Sequence, residues 1–361
     1  MLTDERTILI DGRRVGPGEP VYIVAELSAN HNGDFDRAVE IVRAAARAGA
    51  DAIKLQTYTA DTLTIDSYRP PFRISGGTLW DDRTLHDLYR EAATPWEWQP
   101  KLQVIARELG LHCFSTPFDD TATAFLESLD MPAYKIASFE IVDLPLIRRV
   151  AQTRRPIIMS TGMATLEEID EAVTAAVGAG ASEIALLKCC SAYPAPTEEM
   201  NLRSIPAMAE KYGVPVGLSD HTMDHTAALV SVALGASIIE KHLTPARSDG
   251  GADAGFSLEP DEFAAMVDAV RTAERALGEA RFGVNPSEEK SRVFRRSLFV
   301  VEDVKAGEQF TKKNVRSIRP GFGLHTRHLP ELIGCTASRD IPRGTPMAWD
   351  LVVEQSGVVT A

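Results

Sequence analysis

His221 and His242 stand 21 residues apart, each closing a short apolar run, PVGLSDH and SIIEKH. If those runs are neighbouring parallel strands, spaced about 4.8 Å, the two imidazoles converge on one divalent cation and leave coordination positions for water and substrate. Two nitrogens without a thiolate suit an exchangeable Mn2+ or Mg2+ better than a structural Zn2+. A histidine pair alone fits hydrogen-bonded core histidines equally well, so its surroundings decide. Lys54, Lys135 and Lys188 also end apolar runs, and an ammonium buried there is costly unless it meets an anion. Together with Thr116, Ser138, Ser160, Ser191 and Ser219 they form a cage of cations and hydroxyls suited to phosphate and carboxylate oxygens. A Schiff-base lysine is the rival use of such a position, but the number of hydroxyls favours anion binding. Glu26 and Glu140 are carboxylates able to orient a hydroxyl or relay a proton. Asp253, in a glycine-rich loop, either reaches this site or is simply solvated. Glu240 is left out, on the expectation that it faces a helix and pairs with a cation.

The elements that must position these residues follow one rhythm. Eight apolar runs end at Glu26, Lys54–Gln56, Ser115–Thr116, Lys135–Ser138, Ser160–Thr161, Lys188–Ser191, Ser219–His221 and Glu240–His242, and six of them lead into an amphipathic helix. That pattern predicts a closed (β/α)8 TIM barrel with its chemistry where strands hand over to loops. Asp34 is the expected N-cap of the first helix and Gly49 its end. From about Thr57 to Thr94 the chain makes an excursion too long for an ordinary crossover, read as a lid or specificity segment over the barrel mouth. Thr94-Pro95-Trp96-Glu97 reads as a capping box that opens the next helix. Residues 1–280 form the barrel in this reading, 281–292 a polar linker, and 293–361 a small β-rich domain. That last part carries a weak echo, Glu302–Gly307 against Arg339–Gly344, and promises little core of its own.

Composition narrows the function classes. The 361 residues carry a net charge of −13 without a basic stripe, which argues against a nucleic-acid partner. No apolar run is long enough for a membrane span, and the N-terminus lacks a basic-then-apolar signal pattern. Four cysteines without a CxxC pair read as reduced thiols in a cytoplasmic protein.

Several runs carry a resemblance. Ala25-Glu26 with Asn30-His31-Asn32-Gly33, Lys54-Leu55-Gln56, Ser115-Thr116-Pro117-Phe118, Tyr134–Ser138, Ser160-Thr161-Gly162-Met163, Gly217–Thr222 and Glu240-Lys241-His242 resemble the sialic-acid synthase family, in the family's order and over nearly the whole chain. The C-terminal segment looks like its antifreeze-like (SAF) domain. Within the family, Ala25–Gly33, Thr94–Trp98, Ala137–Asp143 and Ser191–Pro196 are most similar to the branch that makes pseudaminic acid. The resemblance implies a metal-dependent condensation of phosphoenolpyruvate with an open-chain acetamido sugar, 2,4-diacetamido-2,4,6-trideoxy-altrose in that branch. The neighbouring alternatives are N-acetylneuraminate or legionaminate synthesis. A carbohydrate-binding protein without catalysis is a remote alternative, against which the histidines and lysines speak. Carried onto matching positions, His221 and His242 hold the metal. Lys54 and Thr116 meet the carboxylate of phosphoenolpyruvate, and Lys135, Ser138, Ser160, Ser191 and Ser219 its phosphate. Glu26, Gln56, Phe118, Glu140, Tyr193 and Asp253 surround the sugar. Arg319 matches an arginine inserted into a partner's site, which implies a domain-swapped homodimer. Ser191 stands where many relatives carry asparagine.

Overall fold

The computed structural model describes residues 7–353; the first six residues and the last eight of the 293–361 segment lie outside the described residues. The chain divides into two compact units, Met1–Gly278 and Glu279–Ala361. In the first, strands β1 (Ile8–Ile10) and β2 (Arg13–Val15) form an antiparallel hairpin. Eight parallel strands then close into a barrel: β3 (Tyr22–Glu26), β4 (Ala52–Thr57), β5 (His112–Pro117), β6 (Tyr134–Ile136), β7 (Ile157–Ser160), β8 (Ile184–Cys189), β9 (Val216–Asp220) and β10 (Ile238–His242), with β10 paired to β3. The expected (β/α)8 architecture is thus observed.

Two cores hold it. Alternate strand residues such as Ile23, Ile53, Leu186 and Ile239 pack outward against the helices. Those helices include α1 (Phe35–Arg47), whose apolar face buries Ala38, Ile41, Val42 and Ala45. The intervening residues point into the barrel: Tyr22, Val24, Ala52, Phe114, Ile158, Ala185, Leu187 and Ile238 join Ile8, Ile10 and Val15 of the hairpin in a second apolar cluster. Hairpin and interior thus share one core; Tyr22 and His112 hydrogen-bond at 2.8 Å at the strands' N-terminal ends, and the cluster of lysines, carboxylates and histidines sits at their C-terminal ends. Asp34 caps α1 by accepting from the backbone N–H of Asp36 and Arg37, as expected.

The excursion carries α2 (Ala60–Leu63) and α3 (Leu85–Ala92). Asp81 shapes its tip by accepting from the N–H groups of Gly76, Gly77 and Thr78. The capping box expected at Thr94 does not form. A 3-10 turn, Trp96–Trp98, comes first, and α4 (Gln99–Glu108) starts after it. Thr94 Oγ1 instead lies 3.2 Å from His31 Nε2. The remaining helices, from α5 (Asp120–Ser128) and α6 (Leu144–Ala151) through α7 (Leu166–Gly178), α8 (Ser204–Tyr212) and α9 (Thr226–Ala233) to α10 (Pro260–Leu277), alternate with strands. Among the described residues no helix is long and apolar enough to cross a membrane.

The smaller unit begins inside the stretch read as a linker, where Pro286–Phe294 winds into a 3-10 helix. Strands β11 (Ser297–Val300) and β12 (Val315–Ile318) pair antiparallel. The two echoed segments meet each other: Val304 and Ile341 exchange backbone hydrogen bonds of 2.9 and 2.8 Å. The expectation of little core is corrected. Leu298, Val300, Val304, Phe310, Val315, Leu332, Ile341 and Met347 form a buried cluster of their own, because short turns fold both echoes over one β-ribbon.

His31 joins the first βα loop to the end of the excursion. Its Nδ1 accepts from the Gly33 N–H at 2.9 Å, and its ring meets Trp98 edge-on at 5.5 Å. Burial pushes its pKa down to about 4, outweighing a backbone hydrogen bond to Ala92. The folded protein therefore keeps this ring neutral where an unfolded chain, titrating near 6.5, takes up a proton. Stability is lost as pH falls through that window, by on the order of 3 kcal/mol from this group. Urea midpoints between pH 7 and 4.5 should fall more steeply for the native protein than for His31→Gln; parallel profiles would rule the assignment out.

Candidate active site

The period-two alternation of the barrel strands carries Glu26, Lys54, Gln56, Lys135, Ser160, Cys189, Ser219, Glu240 and His242 inward. With His221 just past β9 they line one cavity of about 400 Å3. Registers stack them: Glu26 lies opposite Lys54 on one side and His242 on the other, and Glu240 opposite Ser219.

Its floor is ionic and buried. Lys54 Nζ donates to Glu240 Oε1 at 2.9 Å and lies 2.8 Å from Glu26 Oε2. Lys135 Nζ donates to Ser160 Oγ at 2.7 Å and stands 3.7 Å from Glu240 Oε1. Ser219 Oγ donates to the same carboxylate at 3.1 Å. Burial alone would raise the Glu240 pKa, but the ammonium groups of Lys135 and Lys54 outweigh it and hold the carboxyl low. Burial lowers Lys54 to about 8, with Glu240 pulling the other way. Two cations and two carboxylates balance here, so an incoming anion meets lysines that are already charged and aimed.

The histidine rings lie 5.3 Å apart between centroids. His221 Nδ1 sits 2.9 Å from the Cys190 carbonyl, which can only accept, so this nitrogen carries the proton and Nε2 keeps its lone pair. His242 Nδ1 is buried with no hydrogen-bond partner among the described residues. Two imidazoles with nitrogens to spare, beside carboxylates, fit a divalent cation with open coordination positions. On the outer face of the same strands Lys241 Nζ meets Asp220 Oδ2 at 2.7 Å, fully buried. This ion pair ties the ends of β9 and β10 together directly behind the histidines.

Above Lys135, Ser191 Oγ donates to Ser138 Oγ at 2.8 Å. Gly162 closes over the pair with φ +50°, where a Cβ would fall 2.5 Å from Ser138 Cβ and 2.9 Å from Ser191 Oγ. Only glycine leaves those hydroxyls in place. Thr116 Oγ1, on β5, is buried without a partner among the described residues, as is Glu140 Oε2, whose carboxyl burial pushes up to about 7 against the pull of Lys135. Asp253, raised to about 6 by burial, bonds the Ser28 hydroxyl. Its loop is latched to the excursion by Trp80 Nε1, which donates to the Ala252 carbonyl at 2.8 Å. Trp80 in turn contacts Tyr193, and Tyr193 lies 4.6 Å from the His221 ring.

The cavity thus gathers Glu26, Lys54, Gln56, Phe118, Lys135, Ser138, Glu140, Ser160, Tyr193, Ser219, His221, His242 and Asp253. Ser191 joins through Ser138. Arg319 belongs to the smaller unit and is exposed there. Two sequence expectations are corrected. Glu240 faces inward rather than toward a helix, because it shares the strand face of His242. Lys188 lies on the opposite face of β8 from Cys189 and donates to the Cys189 carbonyl at 2.8 Å, so it is no part of the anion cage. Trp80 and Tyr89 of the excursion also line the cavity, as do Cys189, Tyr58 and Phe256, which the sequence reading does not place there. Strand parity could have found Cys189 and helical spacing Tyr89; Tyr58, Trp80 and Phe256 lie outside the strands and α-helices and carry no periodic signal.

Glu240→Gln should destabilise the protein by on the order of 3 kcal/mol, because two buried ammonium groups lose a counter-charge. Inorganic phosphate should raise the thermal midpoint of that variant more than that of the native protein, since an added anion fills the missing place. Equal phosphate shifts would mean that Glu240 does not hold the lysines.

Comparison with known proteins sets this site in context. Residues 41–282 match the NeuB family and residues 295–353 the SAF domain. The chain is 47% identical over 324 residues to a pseudaminic acid synthase of Campylobacter jejuni, covering 90% of this chain and 94% of that protein. It is 45% identical over 333 residues to the pseudaminic acid synthase of Helicobacter pylori, covering 92% and 98%. The crystal structure of an N-acetylneuraminic acid synthetase from Leptospira borgpetersenii superposes with a TM-score of 0.71 at 30% identity, covering 80% of this chain and 95% of that one. The chain belongs to the NeuB family.

Proposed function

We propose that this enzyme is a pseudaminic acid synthase, which joins phosphoenolpyruvate to the open-chain aldehyde of 2,4-diacetamido-2,4,6-trideoxy-altrose, with water, to give pseudaminic acid and phosphate. The observation that carries the chemistry is one cavity in which two charged lysines and a row of hydroxyls meet two adjacent imidazoles. The choice of sugar is supported by 47% and 45% identity to two pseudaminic acid synthases.

In this reading Lys54 and Thr116 bind the carboxylate of phosphoenolpyruvate. Lys135, Ser138, Ser160 and Ser219 bind its phosphate, with Ser191 fixing Ser138. Their charges keep the reactant anion in a dry site and point its C3 at the aldehyde. A divalent cation on His221 and His242, Mn2+ or Mg2+, would when bound supply Lewis-acid polarisation of the aldehyde oxygen. The C2–C3 π pair of phosphoenolpyruvate forms the new bond to the aldehyde carbon while the C=O π pair moves onto the aldehyde oxygen. Water adds to C2, and the C2–O bond breaks with its electron pair leaving on phosphate, one proton of the water ending on the new hydroxyl and the other on phosphate. Glu26, fixed by the Ser28 N–H at 2.9 Å and Gln56 Nε2 at 3.3 Å, is placed to take the proton of that water. Glu140, which titrates near neutrality, exchanges a proton with a sugar hydroxyl, and Gln56, Phe118, Tyr193 and Asp253 orient the chain of the sugar.

The protein works in this reading as a domain-swapped homodimer in the cytoplasm, with residues 1–280 carrying the reaction, 281–292 linking and 293–361 exchanged. Arg319 of one copy then completes the site of the other. Exposed Tyr68, Phe139, Val142 and Met163, all on connections that follow barrel strands, support a covered mouth. Four free cysteines suit a reducing compartment.

Phosphate release should be rapid with phosphoenolpyruvate and the trideoxy-altrose substrate, at least tenfold slower with N-acetylmannosamine or the legionaminate precursor, and stopped by chelation until Mn2+ or Mg2+ is returned. Release with N-acetylmannosamine alone would reassign the sugar. Arg319→Ala should be inactive alone and regain part of its activity when mixed with an inactive Lys135→Ala copy; no recovery would count against exchange between subunits.

A further inference from the structure

Helix α3 turns its apolar stripe toward the substrate cavity. Leu85, Leu88, Tyr89 and Ala92 follow the i, i+3, i+4, i+7 spacing of one helix face, and all four line the cavity, with Leu63 of α2 and Ile74 beside them. The charged residues of the same helix are occupied elsewhere: Arg90 with Asp87 at 2.6 Å, and Glu91 with Arg83 at 2.7 Å. No excursion residue that lines the cavity carries a charge. Ile74 is held by backbone bonds of 2.9 Å to the Arg83 carbonyl and 3.1 Å from the Asp82 N–H, so the wall is built rather than draped. It belongs to the same cavity as the lysines and histidines, which bind the reacting end of both substrates.

We propose that the wall of Leu63, Ile74, Leu85, Leu88, Tyr89 and Ala92 is the specificity determinant of the reaction, selecting a sugar whose end remote from the aldehyde is a methyl rather than a hydroxymethyl group. This rests on the condensation reading above. An open-chain hexose that presents its aldehyde to the imidazoles sends C6 farthest from them. A methyl there loses water and gains contact. A C6 hydroxyl would be desolvated against a wall whose one polar side-chain atom is the Tyr89 hydroxyl, so few of its hydrogen bonds would be replaced. Discrimination against an added hydroxyl by an apolar pocket amounts to about 10- to 100-fold.

The test compares kcat/KM for the trideoxy-altrose substrate and for its 6-hydroxy counterpart, with saturating phosphoenolpyruvate and metal. Ile74→Thr keeps the β-branched shape, and Leu85→Gln keeps a good helix former. The native enzyme should prefer the deoxy sugar by about 10- to 100-fold. Each variant should shrink that ratio at least about fivefold, with the KM for phosphoenolpyruvate unchanged. A ratio near one in the native enzyme, ratios untouched by either substitution, or an equal rise in the KM for phosphoenolpyruvate would overturn the assignment while leaving the condensation reading intact. Should Leu85→Gln lose its helical circular dichroism, Ile74→Thr alone decides. A native enzyme that turns over neither sugar would overturn the condensation reading, and this wall with it.

Discussion

The site depends on one constraint: two lysines buried at the top of the barrel must stay charged without water. Glu240 meets it by accepting from Lys54 at 2.9 Å while standing 3.7 Å from Lys135. Glu26 adds a second carboxylate 2.8 Å from Lys54. Ion pairs of this kind add little to stability, because desolvation consumes most of the Coulomb gain. Their use here is preorganisation. The lysines are already buried and aimed before an anion arrives.

The same strands do opposite work on their two faces. Inward, β9 and β10 carry Ser219, Glu240 and His242 into the cavity; outward, Asp220 and Lys241 form a sealed ion pair that fixes the spacing of the strand ends. Two histidines that are to share a cation across neighbouring strands would need that spacing held to within about 0.5 Å. Below them the apolar interior, closed by Ile8, Ile10 and Val15 of the hairpin, gives the charged layer a buried apolar base. Above them the excursion and the glycine-rich loop meet through Trp80 and Ala252. The site is therefore polar at its floor and apolar at one wall.

Much of this was legible in the sequence. Apolar runs ending in Glu26, Lys54, Lys135, His221 and His242 announce barrel strands and their functional ends, because the C-terminal ends of barrel strands are the one place where such residues are useful. The Asp34 cap was legible for a local reason: its carboxylate reaches N–H groups two and three residues on. Thr94 misled because a capping box is only a local option, and a buried histidine 63 residues earlier competes for its hydroxyl. The core of the smaller unit was hidden because its apolar residues are scattered among turns rather than periodic.

By itself the sequence determined the number of barrel strands, most of the inward residues at their ends, and the chemistry those side chains can perform, since these follow from alternation and residue type. Alternation would also have assigned Glu240 inward and Lys188 outward had it been applied strictly from His242 and Cys189. Only the tertiary structure decided which carboxylate neutralises which lysine, and that α3 faces its apolar stripe to the cavity instead of the core. Those outcomes turn on barrel register and on the path of a long connection, which depend on contacts between residues far apart in the chain and leave no periodic trace in it.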